Sequence, residues 1–434
     1  MDKRKLRWAC IQPLTGGMYL GAEEAIGHPA EFILSYEGLD SIKRKKDGTP
    51  ASYSNEYNLV EYLTKHNRMP KYYKIQRPMF DTEVYDMHPR ITLEGVDATP
   101  DYKDLDIVVA VPVCSGLSTA SCGMKDDSKL ARNCNMQWLA YYTLNVIKPK
   151  IYCFENAPTL VGTRGEYVRE ILEDMAREAG YSVMYYKTDT KYHHNCQKRP
   201  RTFVVFVKWR EQGMQMPPMF KYEHDEINAT EFFKTIPQDA PQSDDIYRPV
   251  PNNTLVFNYI AEHIGNGRIP ESYTGNLIGH LYKEKRINDY LKWVNELPED
   301  KCSENEKKKI NRYIGHINYK LGLGLGYFGN DALYHTDKMP AIQFKTIGNL
   351  VHPDGTRFCS VREYLALMGM PHDFVMHYGV IGDLNKIGQN VPMNTAKFIT
   401  MNLCDIVEHW NDCEREIGHN VMLQNNISMK ANKF

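Results

Sequence analysis

The chain has 434 residues, more than one typical domain holds, so we expect a large domain and a smaller one. Its formal net charge of −1 argues against a nucleic-acid packaging protein, although a DNA enzyme can confine its basic residues to one cleft. The 10 cysteines form no Cys-x-x-Cys pair, so neither a metal site nor a disulfide framework is indicated. No apolar run is long enough for a membrane span or a signal peptide, and we expect a soluble cytoplasmic protein.

The first elements predict a cofactor site. Leu6–Leu14 is typical of a strand, and the turn Thr15, Gly16, Gly17 leads into a helix that continues to Ile26. Phe32–Tyr36 predicts a second strand, which ends at Glu37, about twenty residues after Gly17. Glycine at such a turn lets the backbone approach a ligand, and an acid at this spacing can bind a ribose.

The next segment, about residues 40–78, is polar and rich in turn residues. We interpret it as a surface insertion.

Residues 107–118, IVVAVPVCSGLS, predict a buried strand that Pro112 ends. Chemistry in open α/β sheets sits at the carboxyl ends of the strands, which makes Cys114 a candidate nucleophile. From this segment alone, a small buried cysteine explains the pattern equally well.

Two later strands carry further polar groups at their boundaries. Residues 151–158, IYCFENAP, end on Glu155 and Asn156, and the strand 202–207 follows Gln197, Arg199 and Arg201. Singly, the glutamate could cap a helix and the arginines could be solvated. Together with a thiol, they can converge on one pocket.

The rest of the first half of the chain alternates between predicted helices and predicted strands. Apolar residues recur at helical spacing in 136–147 and in 168–179, where Gly180 ends the helix, and a strand follows at 181–187. This alternation predicts a doubly wound, mostly parallel α/β sheet. It disappears over 208–338; Ser360 and Glu363 then form a capping-box pattern, and 395–410 is amphipathic.

Several of these segments resemble motifs of one enzyme family. PVCSGLS is similar to the Pro-Pro-Cys-Gln-Gly-Phe-Ser nucleophile motif of the C5-cytosine DNA methyltransferases, and FENAP to their Glu-Asn-Val motif. Gln197, Arg199 and Arg201 match the family's Gln-x-Arg-x-Arg. Residues 339–374 and IGQNVP, 387–392, resemble its closing blocks, in the same order along the chain.

The resemblance implies a fold, an activity and a domain plan. The fold is the Rossmann-like fold of S-adenosylmethionine-dependent methyltransferases, with a second, smaller target recognition domain. Residues 1–207 would form the catalytic and cofactor domain, 208–338 the recognition domain, and 339–434 a segment returning to the catalytic domain. The activity would be methylation of carbon 5 of a flipped-out cytosine in DNA.

The resemblance also assigns residues to roles. The catalytic residues would be Cys114, which adds to carbon 6, Glu155 at the N3 edge, Arg201, which places positive charge near the base and the thiolate, and Arg199, which contacts a phosphate or neighbouring side chains. The DNA contacts would include Ser115, Ser118 and Gln197. S-adenosylmethionine would lie among Thr15, Gly16, Gly17, Glu37, Asp97, Pro112, Gln389, Asn390 and Val391.

The resemblance implies double-stranded DNA as the partner, no membrane and a monomer in a bacterial or phage-infected cell. A cognate restriction endonuclease, or phage DNA modification, would fit the same family.

The chain departs from the family pattern at Val113, Ser115, Gln389 and the first glycine motif, typically Phe-x-Gly-x-Gly-Gly. A member that transfers a modified group from an altered donor therefore stays open, as does a catalytically silent DNA-binding relative. An unrelated cysteine hydrolase would need a histidine base, for which His193 and His194 are the clustered candidates. The RNA-methylating branch is disfavoured because its Cys-Phe-Thr signature is absent.

Overall fold

The computed structural model describes thirteen stretches of the chain. They are residues 5–36, 56–76, 89–112, 117, 135–209, 225–246, 254–267, 269–270, 275–324, 333–334, 338–342, 350–354 and 357–416. None of the helices in these stretches is long and apolar enough to cross a membrane.

The strands of the described residues form one large sheet and three two-stranded pairs. Their bounds are β1 (Trp8–Ile11), β2 (Phe32–Tyr36), β3 (Lys71–Gln76), β4 (Arg90–Leu93), β5 (Val96–Asp97), β6 (Ile107–Ala110), β7 (Ile151–Asn156), β8 (Tyr181–Asp189), β9 (His193–Asn195), β10 (Gln197–Lys198), β11 (Pro200–Lys208), β12 (Asp225–Glu226), β13 (Gly275–Asn276), β14 (Leu333–Tyr334) and β15 (Met339–Pro340).

The large sheet has the order β5-β4-β3-β2-β1-β6-β7-β11-β8. Its centre, β3-β2-β1-β6-β7, is parallel, and β11 runs antiparallel between β7 and β8. Alternate residues of β1 pack into two different apolar cores, one on each face of the sheet. This two-sided burial explains the nearly continuous apolar runs of the central strands. The predicted doubly wound, mostly parallel sheet is confirmed.

Helices cover both faces of this sheet and continue into the second half of the chain. Their bounds are α1 (Gly17–Ile26), α2 (Tyr57–Lys65), α3 (135–142, extended by a π-helical turn at Thr143–Ile147), α4 (Glu166–Ala179), α5 (Ala229–Lys234), α6 (Thr254–His263), α7 (Leu277–Lys283), α8 (Ile287–Glu296), α9 (Glu304–Gly322), α10 (Val361–Leu367), α11 (Gly379–Gln389) and α12 (Met393–Glu416).

Two local predictions about helix ends are confirmed. Gly180 ends α4 with φ 78°, in the left-handed region that glycine adopts without strain. Ser360 and Glu363 form a reciprocal capping box at the start of α10.

The predicted surface insertion at 40–78 is wrong for residues 56–76. This stretch contains α2, whose Leu59 and Leu63 are fully buried, and β3, which pairs with β2 inside the large sheet. The polar composition was misleading because it belongs to the flanking residues, whereas Leu59, Tyr62 and Leu63 recur at the spacing of a buried helix face.

The region between β11 and β15 contains a separate packing unit. Helices α6 to α9, here called the helical unit, enclose an apolar core of their own around Ile260, Leu281, Val294 and Ile314. By contrast, Phe232 and Phe233 of α5 pack into a core of the large sheet. This layout agrees with the absence of strand–helix alternation over 208–338.

Candidate active site

Glu155 and Arg201 meet at the carboxyl edge of the central strands. Glu155 is near the end of β7, and Arg201 is the second residue of β11. Because β11 runs antiparallel to β7, its first residues lie beside the last residues of β7, in a register that pairs Glu155 with Phe203. The Arg201 Nε lies 2.6 Å from the Glu155 Oε1. A strand inserted in the opposite direction therefore brings together two residues that are 46 positions apart in the chain.

The environment of Glu155 favours its protonated form. The side chain is buried, and this desolvation raises its pKa above the ordinary glutamate value, while Arg201 and Arg199 act in the opposite direction. Arg201 keeps a fifth of its side chain exposed. The pair thus offers a buried acid that is oriented by a partly accessible cation, an arrangement suited to proton donation.

Arg199 contacts protein groups and not a phosphate, which was one of the two partners expected for it. Arg199 is 2 % exposed, and its guanidinium donates to the backbone carbonyls of Ile342, Gly388 and Asn390. Its backbone N–H donates to the Asp189 carboxylate at 2.8 Å. A guanidinium enclosed in this way cannot reach a DNA phosphate, so the expectation of a phosphate contact is corrected. Arg199 instead connects the end of α11 to β11.

Gln197, expected to contact DNA, is also buried. Its Nε2 donates to the Leu367 carbonyl at 3.0 Å, and its Oε1 accepts from the Ile342 N–H at 3.5 Å. Because both ends of the amide are used inside the protein, the expected DNA contact does not fit this position.

Four predicted site residues lie outside the described residues: Cys114, Ser115, Ser118 and Glu37. The chain is described up to Pro112, which is buried and follows β6, the strand next to β7. It is described again at Leu117, whose carbonyl accepts a hydrogen bond from the Thr159 hydroxyl.

The glycine turn and the closing motif form a direct contact. The Gly17 N–H donates to the Asn390 Oδ1 at 2.9 Å, and the Thr15 hydroxyl donates to the Lys386 carbonyl at 3.0 Å. A Cβ on Gly17 would lie 1.9 Å from the Val391 carbonyl oxygen, so only glycine allows this approach. Gln389, the last residue of α11, is half-buried beside Asn390. Two segments from opposite ends of the chain thus meet beyond the carboxyl end of β1.

Gly16 explains the sharpness of the same turn. Its φ is 111°, in the left-handed region, and a Cβ there would lie 2.6 Å from the Leu59 side chain. Gln12 and Leu14, at φ 52° and 54°, are also left-handed, although neither is glycine. The loop after β1 is therefore held in a strained form, as is common where a backbone wraps a ligand.

Unpaired polar atoms around this turn fit a nucleoside-like cofactor. The side-chain amides of Gln12 and Asn58 are buried, and neither atom of either amide has a hydrogen-bond partner in the described structure. Asn58 precedes Leu59, the residue that packs against Gly16. Buried amides normally find partners, and an adenosyl group offers both donors and acceptors. The residues present here fit S-adenosylmethionine.

Sequence reasoning missed Glu56, the residue before α2. Glu56 is 2 % exposed, and its carboxylate accepts hydrogen bonds from the hydroxyls of Ser35 and Tyr72. It therefore stands close to the end of β2, where a ribose-binding acid is expected. The signal was hidden because residue 56 fell inside the segment interpreted as an insertion.

Asp97, expected beside the adenine, is far from this turn. It lies on β5, the outermost strand, four strands from β1, and its side chain is 71 % exposed and paired with Arg90. Four strand spacings amount to roughly 19 Å, so the assignment of Asp97 is corrected. The β4–β5 hairpin extends the sheet past β3, which sequence spacing could not reveal.

His193 does not fit the histidine base that the hydrolase alternative needs. His193 is buried, with its Nδ1 2.9 Å from the Thr395 hydroxyl and its Nε2 3.3 Å from the Thr188 hydroxyl. Its ring also stacks on Phe398. Both ring nitrogens are thus engaged within the protein, which is typical of a structural histidine.

Comparison with known proteins now decides the family. The family described as C-5 cytosine-specific DNA methylase matches residues 65–405, more than half of the chain. The chain belongs to this family. Its members are methyltransferases, and Glu155, Asn156 and Arg201, from two of the motifs predicted from sequence, lie at the sheet edge described above.

Individual relatives are more distant. The type II methyltransferase M.Sau96I of Staphylococcus aureus is 37 % identical over 60 residues, which is 14 % of this chain and 14 % of that protein. A putative DNA modification methyltransferase encoded within a prophage of E. coli is 15 % identical, with a TM-score of 0.48, over 93 % of this chain and 99 % of that one. An Entamoeba histolytica methyltransferase, EhMeth, is 10 % identical, with a TM-score of 0.49 and the same coverage.

Proposed function

We propose that the protein methylates carbon 5 of cytosine in double-stranded DNA through a covalent bond between Cys114 and carbon 6 of the base. The observation that carries the proposal is the buried Glu155, held by Arg201 at the carboxyl edge of the sheet. The adjacent strand, β6, leads through Pro112 towards Cys114, two residues later.

The role proposed for Cys114 is to activate carbon 5 of cytosine. Carbon 5 of cytosine is a poor nucleophile because the ring is electron-poor. Addition of the Cys114 thiolate to carbon 6 turns the base into an enamine, whose carbon 5 is nucleophilic. Removal of the carbon 5 proton later allows Cys114 to leave. The ring atoms involved are inaccessible inside a duplex, so the base has to be flipped out.

Glu155 assists the addition by donating a proton at N3. Its raised pKa keeps the carboxyl protonated at a higher pH than an exposed glutamate would allow. Arg201 fixes the direction of this carboxyl and adds positive charge close to the base and the thiolate. Arg199 acts indirectly, because its bonds hold the backbone at Gly388 and Asn390.

S-adenosylmethionine would supply an electrophilic methyl group when bound. The Gly16–Gly17 turn, Asn390 and Val391 would hold it, and the unpaired amides of Gln12 and Asn58 would pair with its polar atoms. We further propose Glu37 or Glu56 as the acceptor for its ribose hydroxyls, since a carboxylate offers two acceptor oxygens to a diol.

The biological setting belongs to the same proposal. A monomer in the cytoplasm of a bacterial or phage-infected cell would act on duplex DNA, with or without a cognate restriction endonuclease.

Trapping tests the covalent step. DNA that contains 5-fluorocytosine should form a stable adduct with the protein, because fluorine blocks the elimination of Cys114. Cys114→Ser should abolish the adduct and the turnover while retaining DNA binding. A serine variant that modifies cytosine at close to the wild-type rate would disprove the mechanism.

An altered methyl donor is a second candidate. Counted back from Gly16 and Gly17, Gln12 and Leu14 occupy the positions of the family's phenylalanine and first glycine, and both have left-handed backbones. This change reshapes the turn that would hold the cofactor. Titration calorimetry with S-adenosylmethionine, combined with mass spectrometry of the modified nucleoside, separates the two candidates. An added mass other than one methyl group would favour the altered donor.

A further inference from the structure

We propose that α9 is the helix through which the helical unit binds duplex DNA. The surface concerned, here called the basic face, consists of Lys308, Lys309, Arg312, His316 and Tyr319, all exposed. This inference rests on the proposed function and names the surface that would hold the DNA for it.

The basic face lies opposite the buried side of α9. At 3.6 residues per turn, its five residues fall within an arc of roughly 100°. Ile314 and Ile317, which are fully buried in the core of the helical unit, lie on the other side of the helix. The basic residues therefore occupy the side of the helix that the fold leaves to solvent.

The cations of this face have little compensating charge among the described residues, where Glu306 acts electrostatically on Lys309 without forming an ion pair with it. Lys308, Lys309 and Arg312 form no ion pair with any residue the structure describes, whereas the neighbouring Lys307 pairs with Glu304 at 3.1 Å. Glu306 is engaged with the backbone and hydroxyl of Ser303 in a capping box. No acidic residue occurs between Lys307 and the end of α9. A one-sign surface of this kind is complementary to a phosphate backbone.

Gly315 provides an independent indication of a partner. It lies in the interior of α9, on the same side as the basic face, and a Cβ there would meet nothing within 4 Å. Glycine destabilises a helix interior relative to alanine, and the protein has open space for the methyl group. Close approach of another molecule to the helix backbone explains why position 315 holds glycine and not alanine.

The dimensions and chemistry match a DNA groove. A helix of 19 residues is about 28 Å long, and the major groove admits an α-helix. Cations along the face would contact phosphates on the groove walls. Tyr319, with 66 % of its surface exposed, would lie beyond them with an aromatic ring free to contact bases.

The first test measures the salt dependence of DNA binding. Lys308→Ala, Lys309→Ala and Arg312→Ala, combined in one variant, are compared with wild type on fluorescein-labelled duplexes of mixed sequence between about 50 and 200 mM salt. Each lost phosphate contact lowers the slope of log K against log salt by about 0.9, so we expect a reduction of about 2 to 3.

The matched control removes the same charges elsewhere. The control variant combines Lys71→Ala, Lys103→Ala and Arg177→Ala. All three residues are exposed: Lys71 and Lys103 lie at the amino ends of β3 and β6, and Arg177 lies at the end of α4. These positions are on the side of the sheet away from Glu155. This variant should keep the wild-type slope. If the α9 variant also keeps that slope, or behaves like the control, the proposal is wrong.

Gly315 gives a second test that does not depend on charge. Gly315→Ala should raise the melting temperature, and Gly315→Leu should weaken DNA binding about tenfold or more with an unchanged salt slope. Wild-type DNA affinity in Gly315→Leu would overturn the close approach. Sedimentation that shows a dimer dissociated by the α9 variant would overturn the DNA assignment in favour of contact between copies. Cytosine methylation by wild type, measured in parallel, tests the proposed function separately.

Discussion

The carboxyl edge of the sheet and the helical unit are stabilised in opposite ways. At the sheet edge, buried polar groups such as Arg199, Gln197 and Glu155 are held by specific partners. The helical unit instead encloses an apolar core, and most of its charged residues face solvent. A polar site depends on the identity and direction of each group, whereas an apolar core tolerates exchanges of similar volume. The structure of the sheet edge thus depends on the identity of each residue, whereas the structure of the helical unit depends on its pattern of apolar and polar residues.

Within the sheet edge, Arg199 and Arg201 allow a direct comparison of a buried and a partly exposed arginine, because they are two residues apart in the chain. Arg199→Met should lower the free energy of unfolding by about 3 kcal/mol or more, since it leaves three buried carbonyls without their charged donor. Arg201→Met should cost much less stability, because Arg201 is partly exposed. Urea denaturation of both variants measures the difference, and equal losses would contradict the separation of roles.

Glu155→Gln should reduce kcat roughly 100-fold, within the range for a lost general acid. The amide keeps the shape of the side chain but cannot donate an acidic proton at N3. DNA affinity, measured by fluorescence anisotropy, should change little. A fall in stability with kcat preserved would assign Glu155 to a structural role.

Matched core truncations test whether the two regions unfold together. Ile314→Val in the helical unit and Ile33→Val in β2 each remove one methyl group from a fully buried side chain. Each should cost about 1 kcal/mol. Calorimetry should show one shared transition if the regions are coupled. Two transitions, each shifted by only one of the variants, would show that the helical unit folds independently.

The smallest expected effect is a pH dependence of stability. The pKa of Glu155 is raised in the folded protein, so folding takes up protons between the unfolded and folded pKa values. Wild type should therefore lose stability relative to Glu155→Gln as pH rises above the ordinary glutamate pKa. Urea titrations of both proteins across this interval measure the trend, and parallel curves would contradict it.

Much of the sheet was predictable because its strands are apolar and bounded by breakers. Phe32–Tyr36 was predicted with the bounds of β2, and the strands of Ile107, Ile151 and Phe203 were found in the right places. The sheet order that brings Arg201 to Glu155 was not predictable from periodicity, since it depends on β11 running antiparallel between β7 and β8. The positions of these residues at strand boundaries indicated that they can converge, and the resemblance assigned them to one site.

Other errors arose where composition and structure diverge. Residues 56–76 are polar overall, yet alternate residues of β3 and one face of α2 are buried. Gln197 was assigned to DNA, and Arg199 to a phosphate or to neighbouring side chains, because both match the family's Gln-x-Arg-x-Arg motif. Their burial depends on carbonyls contributed by Ile342, Leu367 and Asn390, more than 140 residues away.

The bond between Gly17 and Asn390 has a consequence for synthesis in the cell. It joins positions 373 residues apart, and α12, which follows directly, packs against α1 through Gly21 and Ala396. At translation rates of about 5–20 residues per second, roughly 20 to 75 seconds separate the appearance of the two partners. Throughout that time the apolar side of α1 is without its final cover. This side of α1 would therefore need protection from non-native contacts until α12 emerges.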